Sequence, residues 1–379
     1  MPVVTCIEDL RSLARKRVAR AIFDYVDRGS YAEQTLHANR ADLEGLMLRQ
    51  RVAIDVEHRS TRATMLGEDV AMPVALAPTG LAGLNWADGE ILAARAAGRF
   101  GVPFTLSTMS ICSIEDVAGA VAKPFWFQLY VMRDRGFAAS LIERARAAKC
   151  SALCLTLDLQ VQGQRHQDIK NGLSVPPRLT LATLLDVMAK PGWALNVLRG
   201  KRKSFGNLEG RIPDAGNLST LSQWIAGQFD PTLSWKDVEW VKQLWGGKLI
   251  LKGILDAEDA RIAASTGADA IVVSNHGGRQ LDGASSSIRA LPEIVEAVGD
   301  RIEVWFDGGI RSGQDLLRAF ALGAKGTMIG RAFLYGLAAM GEPGVTRALE
   351  ILRSELDVSM ALCGLKDLKD ASPAILRKS

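Results

Sequence analysis

Short apolar runs recur along the chain, each followed by a stretch whose apolar positions carry helical spacing. They are VALAP (74–78), PFTLS (103–107), WFQLY (126–130), ALCLTLD (152–158), LILKG (249–253), AIVVSN (270–275), VWFDGG (304–309) and TMIGR (327–331). Continuous apolar strands alternating with helices predict a parallel sheet covered on its outer face. Eight such units are what closes a (β/α)8 barrel. A doubly wound dinucleotide-binding sheet would carry a GxGxxG turn after its first strand, and none of these runs is followed by one.

Two regions depart from this rhythm. The first 70 residues read as a helical extension: LARKRVARAIFDYVDRG puts Leu13, Val18, Ile22, Tyr25 and Val26 on roughly one face, with Gly29 as the expected C-cap. The one long gap, after the fourth strand, predicts an insertion over 172–235. There Thr180 is placed to cap TLATLLDVMA, whose Leu181, Leu184, Leu185 and Met188 follow helical spacing, and Trp193, Leu195, Val197 and Leu198 lead into the basic run 199–203. An amphipathic, basic insertion leaving a catalytic face fits a lid or a membrane-surface contact through residues 178–211. A helix packed on its own barrel beside a solvated charge run fits the same pattern. The whole is expected to be one unit, 1–379, with the barrel at 71–362 and a tail at 363–379.

Composition narrows the class. Apolar residues make up 48% and no apolar run reaches the length of a membrane span. The N-terminus mixes acids and bases where a secretory signal needs an apolar segment, so a cytoplasmic protein is expected. Five cysteines without a CxxC pair and four histidines without metal-ligand spacing indicate neither a disulfide frame nor a metal site. The formal net charge is +4, and seven basic residues against two acidic ones between Arg178 and Arg211 make that charge local. With no reader motif nearby, nucleic acid is not an expected partner.

The candidate chemistry gathers at the C-terminal ends of the predicted strands, the rim on which such barrels build their sites. SNHGGRQLDG (274–283) sets His276 and Arg279 three residues apart, with two glycines between them. A 2-hydroxy acid needs both side chains: a planar two-pronged donor for its carboxylate and a base titrating near neutrality. Asp158 closes the fourth strand, where a carboxylate would orient and support an imidazole, or would simply be satisfied by nearby amides. Asp307, Gly309 and Arg311 after the seventh strand, and Gly330 and Arg331 after the eighth, fit a phosphate cradle. Lys252 closes the fifth strand, either facing the mouth as a cation beside a cofactor or snorkelling to water. A non-redox phosphate-binding barrel, such as an isomerase, fits the cradle as well.

Taken with FQLY (127–130), LTLD (155–158), the LKG of the fifth predicted strand, DGGIR and IGR, the sequence resembles the FMN-dependent L-2-hydroxy-acid dehydrogenase and oxidase family from about Asp24 to beyond Leu362. The resemblance implies a (β/α)8 barrel that binds FMN non-covalently, often as a homotetramer. It gives His276 the role of base, Asp158 that of its partner, and Arg279 with Arg165 the substrate carboxylate. Tyr25 and Tyr130 become the substrate-side tyrosines. For FMN it implies Pro78, Thr79, Gly80, Ser107, Gln128, Thr156, Lys252 and Ser274 around the ring and ribityl chain, with Asp307, Gly309, Arg311, Gly330 and Arg331 at the ribityl end and phosphate. Met109 and Gly80 stand where glycolate-oxidising members carry Trp and Ala, which leaves room for a bulkier substrate. QFDPTLSWKD (228–237) and GRAFLYGLA (330–338) resemble the respiratory lactate-oxidising members, and PTGLAGLNW (78–86) a mandelate-oxidising one. L-lactate is the favoured substrate, with electrons passed to a quinone or other membrane acceptor and the protein peripheral on the inner face of the cell membrane. An L-mandelate-type dehydrogenase and a soluble O2-reducing oxidase are the alternatives.

Overall fold

The computed structural model describes residues 3–172, 181–209 and 227–377. All eight predicted strands form. A small antiparallel hairpin, β1 (Ala63–Met65) and β2 (Glu68–Val70), precedes them. The parallel sheet then runs through β3 (Val74–Leu76), β4 (Thr105–Ser107), β5 (Trp126–Leu129), β6 (Ala152–Thr156), β7 (Lys248–Ile254), β8 (Ala270–Val273), β9 (Glu303–Asp307) and β10 (Gly326–Ile329). From β4 onward each strand pairs with the next, and β10 pairs with β3. The seam between β3 and β4 is held by a bridge from Leu76 to Phe104 and by the Leu76 amide donating to the Pro103 carbonyl at 2.9 Å, so the sheet curls into a barrel.

The strands read as unbroken apolar runs because both of their faces are buried. Outward side chains such as Leu76, Leu106, Leu153 and Val273 meet the surrounding helices. Inward ones fill the barrel: Ala75, Trp126, Cys154, Ile250, Val272, Trp305 and Met328 pack together, with Trp126 and Trp305 stacked at 5.3 Å. The hairpin seals the N-terminal end, where Met65, Leu66 and Val70 join this inner core. Lys248 donates to the Leu66 carbonyl and the Glu303 carboxylate accepts from the Leu66 amide, fixing the plug. With the lower barrel full of side chains, only the C-terminal mouth is left for a site.

The N-terminal extension corrects one expectation. The segment read as a single helix ending at Gly29 is two, α1 (Ile7–Arg17) and α2 (Arg20–Asp27), broken at Val18 and Ala19, which take extended backbone. Both residues are buried, and packing overrides the helical spacing: α1 lies on the helix Arg331–Met340, while α2 turns toward the barrel mouth. Gly29 is not a cap. A Cβ there would lie 2.6 Å from the Gly278 carbonyl, so this glycine lets the extension touch the loop that carries His276.

The insertion contributes helices Leu181–Met188 and Pro191–Leu198. The Asp186 carboxylate accepts from the Arg20 amide at 2.6 Å, and the Trp193 indole donates to the Leu84 carbonyl at 2.8 Å. Thr180, the expected cap, and both ends of the basic stretch, Arg178 and Arg211, lie outside the described residues.

Candidate active site

The mouth of the barrel holds a cavity into which most of the singled-out residues converge. Tyr25, Pro78, Thr79, Gly80, Ser107, Met109, Tyr130, Arg165, Lys252, His276, Arg279, Asp307, Gly309, Arg311, Gly330 and Arg331 all line it. Gln128, Thr156, Asp158 and Ser274 sit just behind that surface, bonded to it or buried beneath it.

His276 follows β8 in a turn of three consecutive positive-φ residues: His276 at 57°, Gly277 at 67° and Gly278 at 73°. A histidine held in the left-handed region is uncommon and marks a position fixed by its surroundings. The fixing agent is Asn275, whose side-chain oxygen accepts from the Gly278 amide at 3.0 Å and whose amide pairs reciprocally with that of Asn39. Nδ1 of His276 lies 2.9 Å from Oδ1 of Asp158, which closes β6. Burial pushes the imidazole below its ordinary value, Asp158 opposes that shift, and Lys252 and Arg165 add to it. Burial would raise the Asp158 carboxyl, but His276 and Lys252 outweigh burial and hold it low, so it stays charged.

Lys252 does not snorkel to water. It is buried, donates to Ser274 Oγ at 2.8 Å and pairs with Asp307 at 2.9 Å, tying β7, β8 and β9 together below the cavity. Asp307 keeps its second oxygen without a partner among the described residues.

Arg279 donates to the main-chain oxygens of Tyr25 (2.6 Å) and Arg28 (2.9 Å) and lies over the Tyr25 ring at 4.8 Å. Burial and the nearby Arg165 both disfavour its charge, so this end of the cavity is poised for an anion. Arg331 donates to the carbonyls of Val26 (2.8 Å), Gly277 (2.8 Å) and, again, Arg28 (3.0 Å). The free carbonyls at the C-terminus of α2 thus aim both arginines, as helix C-termini favour cations. Arg311 stacks over Tyr335 at 5.4 Å, and Asp315 accepts from the Arg311 amide and from Arg40.

These residues fit FMN. Gln128 Nε2, Thr156 Oγ1 and Asp307 Oδ1 are buried beside the mouth without hydrogen-bond partners among the described residues, a cost that a polar heterocycle with a ribityl chain would remove. Gly309, at φ 88° and with its Cβ position 2.5 Å from the Asn39 carbonyl, lines the cavity beside Arg311 and Arg331, a lining that suits a phosphate. Leu81, Leu159, Gln162, Phe205 and Phe229 also line the cavity and were not anticipated. Phe205 and Phe229 reach it from the insertion region, where no periodicity could have announced them.

A buried imidazole–carboxylate pair beside two arginines and a phosphate-type cradle, at the mouth of a (β/α)8 barrel, suits a flavin-dependent oxidoreductase. The chain belongs to the FMN-dependent dehydrogenase family, whose sequence profile matches residues 14–378. It is 48% identical over 378 residues to an L-lactate dehydrogenase of Caulobacter sp. (strain K31), covering all of this chain and 99% of the relative. It is 46% identical over 381 residues to an L-lactate dehydrogenase of Pseudomonas syringae pv. syringae (strain B728a), with the same two coverages. Among solved structures, a monotopic membrane protein, (S)-mandelate dehydrogenase, superposes with a TM-score of 0.94 at 36% identity over the full length of both chains. A mandelate oxidase superposes at 0.84 with 37% identity, covering all of this chain and 99% of its own. The cofactor is therefore FMN and the reaction the oxidation of a 2-hydroxy acid, which sets the isomerase reading aside.

Proposed function

We propose that the chain oxidises L-lactate to pyruvate and passes the electrons to a quinone of the membrane. The observation that carries the reading is the His276–Asp158 pair opening into the same cavity as Arg279 and Arg165. Arg279 and Arg165 hold the substrate carboxylate, with Tyr25 and Tyr130 beside them. Asp158 accepts from Nδ1, which leaves Nε2 of His276 to take the substrate proton and stabilises the imidazolium that results. Bound FMN would supply the acceptor for the two electrons and the second proton. Pro78, Thr79, Gly80, Ser107, Gln128, Thr156, Lys252 and Ser274 would hold its ring and ribityl chain. Asp307, Gly309, Arg311, Gly330 and Arg331 would hold the ribityl end and phosphate, and Lys252 would offset the charge gained on reduction.

The choice of lactate rests on the names of relatives at 46 and 48% identity along their whole length, against 36% for the mandelate enzyme. Anaerobic addition of L-lactate should bleach the flavin, and addition of a short-chain quinone should restore its colour. Bleaching by L-mandelate alone, or recolouring by O2 at a rate matching the quinone, would replace this reading with one of the alternatives.

Attachment to a membrane belongs to the same proposal. Among the described residues no helix is long and apolar enough to cross a membrane. Yet Leu181, Leu184, Leu185, Met188, Leu195 and Leu198 of the insertion are all exposed, Leu181 at 73%. Each contributes about 1.5–3 kcal/mol when fully covered, against about 1 kcal/mol for a basic residue near anionic lipid. The basic run is largely engaged internally: Lys201 and Arg202 pair with Asp116, and Lys203 caps the carbonyls that end helix Pro191–Leu198. Apolar contact therefore dominates. A homotetramer, as in the family resemblance, completes the proposal, with light scattering of the detergent-solubilised protein as its test.

A further inference from the structure

We propose that Asn207, in the insertion beyond helix Pro191–Leu198, is a positioning residue that sets the cofactor-facing wall of the site. Asn207 is fully buried. Its side-chain NH2 reaches the carbonyls of Ser107 (3.2 Å) and Thr108 (3.3 Å) and the hydroxyl of Ser110 (3.0 Å), while its side-chain oxygen accepts from the Ile114 amide at 2.9 Å. This one amide ties together four polar groups in and just beyond the turn that follows β4. Only Asn places two donors and an acceptor on a stem this short.

The turn it grips is the one that shapes the site. Ser107 Oγ donates to Gln128 Oε1 at 3.1 Å and accepts from the Met109 amide at 3.1 Å. Thr108 Oγ1 donates to the Gln128 carbonyl at 2.6 Å and accepts from the Tyr130 amide at 3.3 Å. With Oε1 of Gln128 so engaged, its Nε2 is left without a partner among the described residues, available to a ligand acceptor. Asn207 thereby acts on Gln128, Met109 and Tyr130 without lining the cavity itself. The neighbouring backbone is built for the same close approach: a Cβ on Gly206 would lie 2.6 Å from the Ser113 nitrogen, and the Gly206 amide donates to the Ile111 carbonyl at 3.0 Å. Phe205, next in the chain, enters the cavity wall, and Arg144 holds the Asn207 carbonyl at 2.9 Å. Residues 205–207, which follow the exposed apolar helices of the insertion, therefore act as a bolt through the barrel wall.

This inference rests on the assignment of Gln128 to FMN and Tyr130 to substrate, and the test separates the two. Asn207→Asp keeps size and the acceptor for Ile114 but removes both donors. Four quantities are read: FMN affinity of the reconstituted apoprotein, the position of the flavin visible band, and kcat and KM for L-lactate. A displacement of the wall by part of an ångström is expected to raise KM about tenfold and shift the band, with kcat changed by no more than about threefold. Arg202→Ala, which cuts the Asp116 clamp on the same segment, is the control. It should lower the melting temperature while leaving band and KM near wild type. An Asn207→Asp protein with wild-type band, FMN affinity and KM overturns the proposal, as does an Arg202→Ala protein that reproduces all three changes. Should the Asp variant fail to fold, Asn207→Gln decides in its place: it keeps the amide on a longer stem and should displace the band in the same direction, an unmoved band counting against the proposal. A wild-type protein that binds FMN but is not bleached by lactate would instead remove the substrate reading and leave the band comparison standing.

Discussion

Oδ1 of Asp158 and Nδ1 of His276 stand 2.9 Å apart although 118 positions separate them in sequence. The closure of β6 against β7 and β8 makes the contact. Two residues that each close a strand with its chemistry displayed upward come together at the rim only because the sheet between them is short and parallel.

Asp158→Asn replaces an acceptor for the Nδ1 proton with an amide that can present a donor, favouring the wrong tautomer. The rate of anaerobic flavin bleaching by substrate should fall by about 10²–10⁴ while FMN stays bound. A rate within about threefold of wild type would remove Asp158 from the mechanism.

The pH profile follows from the direction of the His276 shift. Burial lowers the imidazole below its ordinary 6.5, with Asp158 only partly restoring it. The base form therefore persists in the folded protein below pH 6.5, and the acid limb of kcat/KM should fall there and not above. In residual Asp158→Asn activity the limb should move further toward acid, because the influence that raises the value is gone. The stability contribution has the matching sign: it is complete above the unfolded value and is lost as pH falls toward the folded one, where only the unfolded chain readily takes the proton. A pH–rate series, with thermal melts over the same range, checks both.

Gly80→Ala tests the substrate corner. The added Cβ would lie 3.2 Å from the Met109 carbonyl, 3.3 Å from its Cβ and 3.4 Å from the Tyr25 hydroxyl. Those neighbours can yield by a few tenths of an ångström, so the fold should survive. Selectivity should change: the ratio of kcat/KM for a bulky 2-hydroxy acid to that for lactate is expected to drop about tenfold, within the range one methyl group commands in a pocket. An unchanged ratio would place the substrate side chain elsewhere.

Replacing Leu184, Leu185, Leu195 and Leu198 with serine should move the protein from the membrane fraction to the supernatant after centrifugation, with FMN still bound. Because Lys201, Arg202 and Lys203 are engaged within the chain, 1 M salt should release wild type far less than these substitutions do. Release by salt alone would reverse the ranking of apolar and ionic contact.

The fold was legible because strands buried on both faces write themselves as apolar runs, and all eight lie where that pattern puts them. Most of the cavity lining was legible for a related reason: in a barrel whose lower half is filled by Trp126 and Trp305, polar residues at strand ends have one place to go. What stayed hidden depends on long-range contact. The break at Val18 and Ala19 is set by packing against distant elements, so helical spacing carried straight through it. Gly29 resembled a cap and is a point of contact with Gly278. Asn207 lay in a region whose basic residues drew attention, and nothing in its own neighbourhood points to Ser107. Glu90, buried and accepting from the amides of Gly83 and Ile111, braces the same turn from the other side and was equally silent.

The main-chain oxygen of Arg28 serves two masters, Arg279 at 2.9 Å and Arg331 at 3.0 Å. No side-chain exchange at position 28 can remove that atom, so, on the proposed roles, a shift of this one carbonyl reaches the acid-binding and the phosphate-binding arginine together. The two affinities should rise and fall as one trait of the extension. A barrel transplanted without its first helices would carry every strand, yet Arg279 would lose both of its main-chain acceptors and Arg331 would keep only Gly277.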